Sequence, residues 1–192
     1  MPGSLKIATE AEMSNIINVE VVFDAGALLT KYGHQDIGSN SPGGKPDNPL
    51  GVWYEDIYMV GSKNYVIDGQ ATAQLNIKAN VGDEIRWAGI SLSENISYSV
   101  ILYEINWNPD KKNSVQVTPD PSPNVVFPMV PIPDTNNPVK YGIQTVPEYF
   151  LSSNISVRGW EAYLVKFYIT QNDSGTPTTL GYFYWDPSID VS

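Results

Sequence analysis

Apolar and polar side chains alternate with a period of two through much of the chain, which predicts strands with one buried and one wet face. Near the middle, Asn80-Val81-Gly82-Asp83 reads as a turn, because glycine reaches positive φ without steric cost and aspartate bonds its own backbone two residues on. The turn launches a strand over 84–91, with Ile85 and Trp87 on one face and Glu84 and Arg86 on the other. Residues 74–79 alternate as well, so the two segments either pair as a hairpin or turn a corner between sheets. Ile17, Val19, Val21 and Phe23 alternate with Asn18, Glu20 and Asp24 and predict a first strand, followed by one helical turn over 25–31.

Further strands are predicted over 52–60, 65–67, 154–157, 161–170 and 180–185. Residues 97–107 contain Val100-Ile101-Leu102 and have no wet face, which suggests a strand covered on both sides. From 119 to 147 prolines recur, so ladder hydrogen bonds should be sparse, with edge strand and extended connection and 125–127 as the paired piece. Residues 172–175 form the loop of a hairpin between the last two long strands. Eight or more short strands separated by turns point to an all-β, single-domain antiparallel β-sandwich, jelly-roll-like, with short helical turns only. Residues 1–15 read as a leader and 16–190 as the domain.

A length of 192 residues suits one such domain, and 42% hydrophobic residues are enough for a sizeable core. Eleven lysines and arginines stand against 21 acidic residues, a net charge of −10 without a basic run, which argues against nucleic acid or an anionic membrane surface as partner. No cysteine is present, so disulfides, thiolate metal sites and a cysteine nucleophile are excluded. No apolar window approaches the length of a membrane helix, and membrane insertion is not expected.

Several stretches together resemble the bacterial inclusion-body proteins of the PixA and AidA type. They are the run from Ile17 to Asp24, Asn48-Pro49-Leu50-Gly51-Val52, Ile57-Tyr58-Met59-Val60 and the segment from Leu75 to Trp87. Leu92-Ser93-Glu94-Asn95, Ser99-Val100-Ile101-Leu102-Tyr103 and Gly181-Tyr182-Phe183-Tyr184-Trp185-Asp186-Pro187 complete the match. The resemblance implies a bacterial protein linked to cytoplasmic inclusions and, in some members, to quorum-controlled expression and host association, without catalytic residues. It implies a cytoplasmic, self-associating homo-oligomer, with non-classical release as its way out of the cell. The inclusion-body namesakes are methionine-rich, whereas this chain has four methionines, which places it on the AidA-like side.

Candidate chemistry is sparse. Gly82-Asp83-Glu84-Ile85-Arg86-Trp87 is similar to the strand opening of cupredoxins, but a type 1 copper site needs two histidines and a cysteine, and the chain has one histidine and no cysteine. His34, the sole imidazole, would have to serve any triad and lies in the glycine- and proline-rich loop over 32–49. The pairs Glu55-Asp56 and Asp83-Glu84 are adjacent in strands and so point to opposite faces, unlike the facing carboxylates of a glycosidase. Oxygen-rich pairs such as Asp47-Asn48, Asn108 with Asp110 and Asp134 with Asn136 carry calcium-type ligands, but without the spacing of a calcium loop, and they are equally turn formers.

Trp53, Tyr54, Trp107, Trp160 and Trp185 lie near loop ends, where an aromatic ring stacks on a sugar while Asp and Asn bond its hydroxyls. The expected function is thus non-catalytic self-association, with no cofactor. The alternative is a lectin-like glycan-binding protein, calcium-assisted in one version. Its candidate ligand-binding residues are His34, Asp36, Asp47, Asn48, Trp53 and Tyr54.

Overall fold

The predicted first strand sets the position of the first layer. In a computed structural model, which describes residues 14–33, 43–172 and 175–191, β1 (Ile16–Phe23) buries every second side chain from Ile17 to Phe23. Asp24 caps a two-turn helix, α1 (Ala25–Tyr32), by accepting the Ala27 N–H at 2.9 Å. The expected strand over 52–60 is broken: β2 (Leu50–Gly51) leads into a 3₁₀ turn at Tyr54–Asp56, and β3 (Ile57–Gly61) follows. Lys31 holds the turn by binding Glu55 at 3.1 Å and Asp56 at 2.7 Å, so these two carboxylates share a partner instead of facing apart.

β4 (Val66–Asp68) and β5 (Asn76–Ile77) are short, and β6 (Glu84–Ser91) and β7 (Tyr98–Trp107) are full length. The proline-rich region holds β8 (Ser122–Val126), β9 (Met129–Asp134) and β10 (Asn137–Thr145), and β11 (Glu148–Asn154) ends where a strand was expected to begin. β12 (Gly159–Gln171), β13 (Thr178–Trp185) and β14 (Ser188–Val191) close the chain.

One layer has the order β3-β1-β6-β11-β8. Most of its pairings are antiparallel, but β1 and β6 run parallel from Ile16↔Glu84 to Phe23↔Ser91. In the other layer the long β12 lies between β13 and β7 and gives its first residues to β14, with β5 and β4 beyond and β2 alongside β13. The two segments around Gly82 therefore turn a corner: β5 belongs to one sheet and β6 to the other. The product is an all-β sandwich.

Between the layers, Phe23, Phe167, Phe183 and Trp185 are all 1% exposed or less and touch as rings 4.6–5.8 Å apart. Each such side chain contributes roughly 1.5–3 kcal/mol by leaving water, and edge-to-face contacts add to it. β7 is half-covered rather than buried on both faces. Its outer Tyr103 packs with Tyr168 and Tyr182 at 6.1 and 5.9 Å and donates from its hydroxyl to the Pro46 carbonyl at 3.1 Å.

Two buried carboxylates tie the layers' ends. Asp83 accepts the Asn15 N–H at 2.7 Å and the Asn80 N–H at 2.8 Å, while its own carbonyl accepts from Ile155 at 2.8 Å. Gly82, at φ 98°, makes the turn that aims it inward. A single residue, through its side chain and its carbonyl, thus fixes the starts of β1 and β6 and the chain beyond β11. Glu161 sits on the inner face of β12, where Oε2 accepts the N–H groups of Val117 and Thr118 at 2.7 and 2.8 Å. It holds the connection before β8, which has no strand partner of its own.

β8 and β11 pair from Ser122↔Ser152 to Val126↔Glu148, and β9 and β10 continue the same register from Met129↔Thr145 to Pro133↔Tyr141. Residues 122–154 are thus one long hairpin whose lower half lies in a sheet and whose upper half, β9 and β10, stands away from it with nearly every residue exposed.

Burial pushes the Glu161 carboxyl up to about 7, against the pull of the Thr118 and Val117 donors and with a further push from Asp120. Its folded value therefore lies above that of the unfolded chain, so its contribution to stability is fullest below about pH 4.5 and is lost as pH rises through 7. Glu161→Gln keeps an acceptor for the same N–H groups and removes the titration. Between pH 5 and pH 8 the variant is expected to gain ~2 kcal/mol relative to the parent chain in urea unfolding, and parallel pH profiles would refute this assignment.

Candidate functional site

The loop candidates fall into three places. His34 and Asp36 lie outside the described residues. Asp47 and Asn48 sit on an exposed turn, bridged to Lys45 through paired backbone hydrogen bonds of 3.1 and 3.0 Å, above the Tyr103 cluster. Trp53 and Tyr54 stand elsewhere, at the rim of a shallow hollow of ≈ 280 Å³ that is also lined by Gly51, Tyr184 and Asp186. Gly43 holds the approach: at φ 74° its backbone lies so close to Phe183 that an added Cβ would run into the ring.

Trp53 is 73% exposed, and its N–H donates to the Tyr32 hydroxyl at 3.1 Å. The Tyr54 hydroxyl donates to Asp186 Oδ1 at 2.7 Å, and the Lys111 ammonium binds Asp186 Oδ2 at 2.8 Å. Burial, helped by the Asp186 carboxylate, pushes the Tyr54 phenol up to about 12. Burial also raises Asp186, but the bonds from Lys111 and Tyr54 together outweigh it and hold the carboxyl below its usual range. Such a group stays ionised and paired, fit for binding a hydroxyl and unfit for abstracting a proton.

A second concavity, a groove of ≈ 410 Å³, lies on the outer face of the first layer, among Glu20, Arg86, Glu148, Tyr149 and Phe150. Arg86 forks onto Glu84 with two 3.0 Å bonds and lies 4.7 Å over the Phe150 ring. That fork is the leading cause of the lowered Glu84 carboxyl, and burial followed by Glu148 raises Glu20. Among the described residues Arg86 is the only cation lining the groove, and it is already paired.

Among the described residues no group of three or more histidines and carboxylates is close enough to hold a metal ion. Two of the oxygen-rich pairs act as turn formers: Asn108 Oδ1 accepts the Asp110 N–H and Asp134 Oδ1 the Asn136 N–H. Trp185, expected among the loop-end rings, is buried and donates to the Ala73 carbonyl at 3.2 Å.

The family described as PixA, inclusion body protein, matches residues 15–191. The chain belongs to this family. Its fold is similar to the crystal structure of a PixA inclusion body protein from Burkholderia cenocepacia J2315, with a TM-score of 0.69 at 18% identity, over 97% of this chain and 100% of that one. No curated protein matches the chain significantly.

In this PixA-family chain the residues that sequence reasoning missed are Asp186 and Lys111 beside Tyr54, and the whole outward surface of β9 and β10. Asp186 was legible only as the stop of the last long strand, and nothing in the sequence pairs it with a turn 130 residues earlier. None of the described candidates forms a nucleophile with a base. Trp53 touches so little that replacing it with alanine is expected to change folding stability by less than about 0.5 kcal/mol. It should also remove the largest share of acrylamide-quenchable tryptophan fluorescence. A large loss of stability, or unchanged quenching, would contradict the exposed placement.

Proposed function

We propose that this PixA-family protein is non-catalytic and works by assembling with copies of itself, as a protein that accumulates in cytoplasmic inclusions. The observation that carries the reading is the apolar surface on β9 and β10. Met129 is 75% exposed, and Tyr141 and Ile143 each 65%. Monomeric proteins rarely expose a contiguous apolar patch beyond a few hundred Å². By contrast, both concavities are shallow, and Arg86 and Asp186, which line them, are already paired. Among the described residues no helix is long and apolar enough to cross a membrane, and a net charge of −10 does not suit an anionic lipid surface.

Static light scattering over a concentration series is the test. The apparent mass is expected to rise from one chain to two or more, and to rise further with salt, because screening weakens repulsion between acidic copies and leaves apolar contact intact. A profile that stays monomeric at high concentration would overturn the reading.

One observation favours a second reading, glycan binding: the exposed Trp53 indole stands beside a hollow rimmed by the hydroxyl and carboxylate pair of Tyr54 and Asp186. A stacking ring next to polar groups is how sugar faces and hydroxyls are held together. A glycan array, run with and without calcium, is expected to show binding that Trp53→Ala abolishes. A blank array, or binding indifferent to that variant, would remove this reading.

A further inference from the structure

We infer that the β9–β10 arm is a clasp whose apolar face packs against the same face of the arm of a second copy, about a twofold axis. The inference rests on the self-association reading and names its surface.

Parity along the hairpin shows which face this is. In β11, Leu151 is fully buried, and the Tyr149 hydroxyl reaches across to the Leu102 carbonyl of the opposite layer at 3.0 Å, so the odd positions face inward. The register runs without a shift from Ser122↔Ser152 to Pro133↔Tyr141, so the inward side of the sheet continues along the arm as Met129, Pro131, Pro133, Tyr141 and Ile143. Together with Pro138 these residues line a hollow of ≈ 520 Å³ that holds no charged side chain. The arm is therefore half of a sandwich: an inner face that has outrun its second layer.

Three observations favour a second copy as the missing layer. First, size: with Phe127 and Val139, 67% and 90% exposed, the arm offers apolar area on the order of 700 Å². One side of a standard stable interface buries about 800 Å². Second, charge: the chain carries −10, but between Phe127 and Pro147 the only charged residues are Asp134 and Lys140, so the arm is a long surface with no net charge that copies can bring together without repulsion. Third, the outer edge of β9 is closed. Pro131 and Pro133 sit two apart on β9, and residues with this spacing turn their backbones to the same side of a ladder. Because proline has no N–H to give β10, both point outward and blunt the edge against strand addition. The outer edge of β10 has no strand partner in this two-stranded sheet, so it is the size and neutrality of the apolar face that select it, and a face that meets its own copy closes at two.

The test is light scattering and sedimentation of the full chain carrying Tyr141→Asp with Ile143→Asp, against Gln144→Asp with Val130→Asp, which adds the same two charges on the arm's other face. Two aspartates per copy buried without partners are expected to weaken association by at least ~100-fold, while Gln144→Asp with Val130→Asp stays close to the parent chain. At concentrations low enough to keep all three monomeric they should share one thermal midpoint, since nearly every arm residue is exposed; a lowered midpoint in the Tyr141→Asp, Ile143→Asp variant there would contradict the free-standing arm. If the parent chain associates and the Tyr141→Asp, Ile143→Asp variant does so equally, the arm assignment falls and self-association stands on another surface. A parent chain that is monomeric throughout removes both. If it is monomeric in solution but sediments with neutral phosphatidylcholine vesicles through Tyr141 and Ile143, the occupant is lipid and the clasp is wrong.

Discussion

A sheet face made of aromatic and branched side chains has to be covered by another such face, and this requirement organises the molecule from end to end. Over the body it is met internally: Phe23 on β1 meets Phe167 and Trp185 on the other layer, and Trp87 on β6 meets Tyr163 at 6.4 Å. Because a one-residue slip would turn all of these outward, burial of one face also sets the register of every strand in the layer. Along the long hairpin the same inward face carries on past the point where the second layer stops. The body and the arm thus obey one rule under two conditions, covered and uncovered.

The sequence announces the covered half clearly. Period-two alternation located β1, β6, β12 and β13, because each buries one face against the other layer and leaves the other wet, which is the condition under which alternation is written. It failed where that condition fails. On β9 and β10 both faces are exposed, so no alternation separates core from solvent, and the prolines of β9 read as interruptions although they occupy ladder positions that need no donor. The stretch over 52–60 failed for a different reason. Its tyrosine and branched residues favour a strand, but Glu55 and Asp56 form a 3₁₀ turn that faces Lys31, two dozen residues earlier, a tertiary contact that no local window contains.

The candidate site was legible to the same extent. Trp53 was readable as a ring directly after a long loop, but its exposure was not, because Val52 beside it is buried and the local sequence does not separate the two. Asp186 was not readable, since its role comes from Tyr54 and Lys111, which reach it from two distant parts of the chain. Buried carboxylates serve the backbone instead. Asp83 and Glu161 have the chemistry of catalytic groups, yet each spends its oxygens on backbone N–H groups that no strand satisfies. Leaving those donors bare would cost about 1–3 kcal/mol apiece, which is reason enough for a carboxylate to sit inside a sandwich.

The distribution of charge explains why an assembling surface would stand on an arm rather than on the body. Six extended residues of β9 span about 20 Å, whereas exposed charges are screened beyond a Debye length of about 8 Å at physiological salt. Two copies joined along neutral arms therefore keep their acidic bodies further apart than their fields reach. The same copies pressed together at the sandwich faces would set Glu20 and Glu148 against their counterparts, where burial and mutual repulsion already raise Glu20 within a single chain. An apolar projection with no net charge lets a protein of net charge −10 remain dispersed through its body and cohesive through its tip.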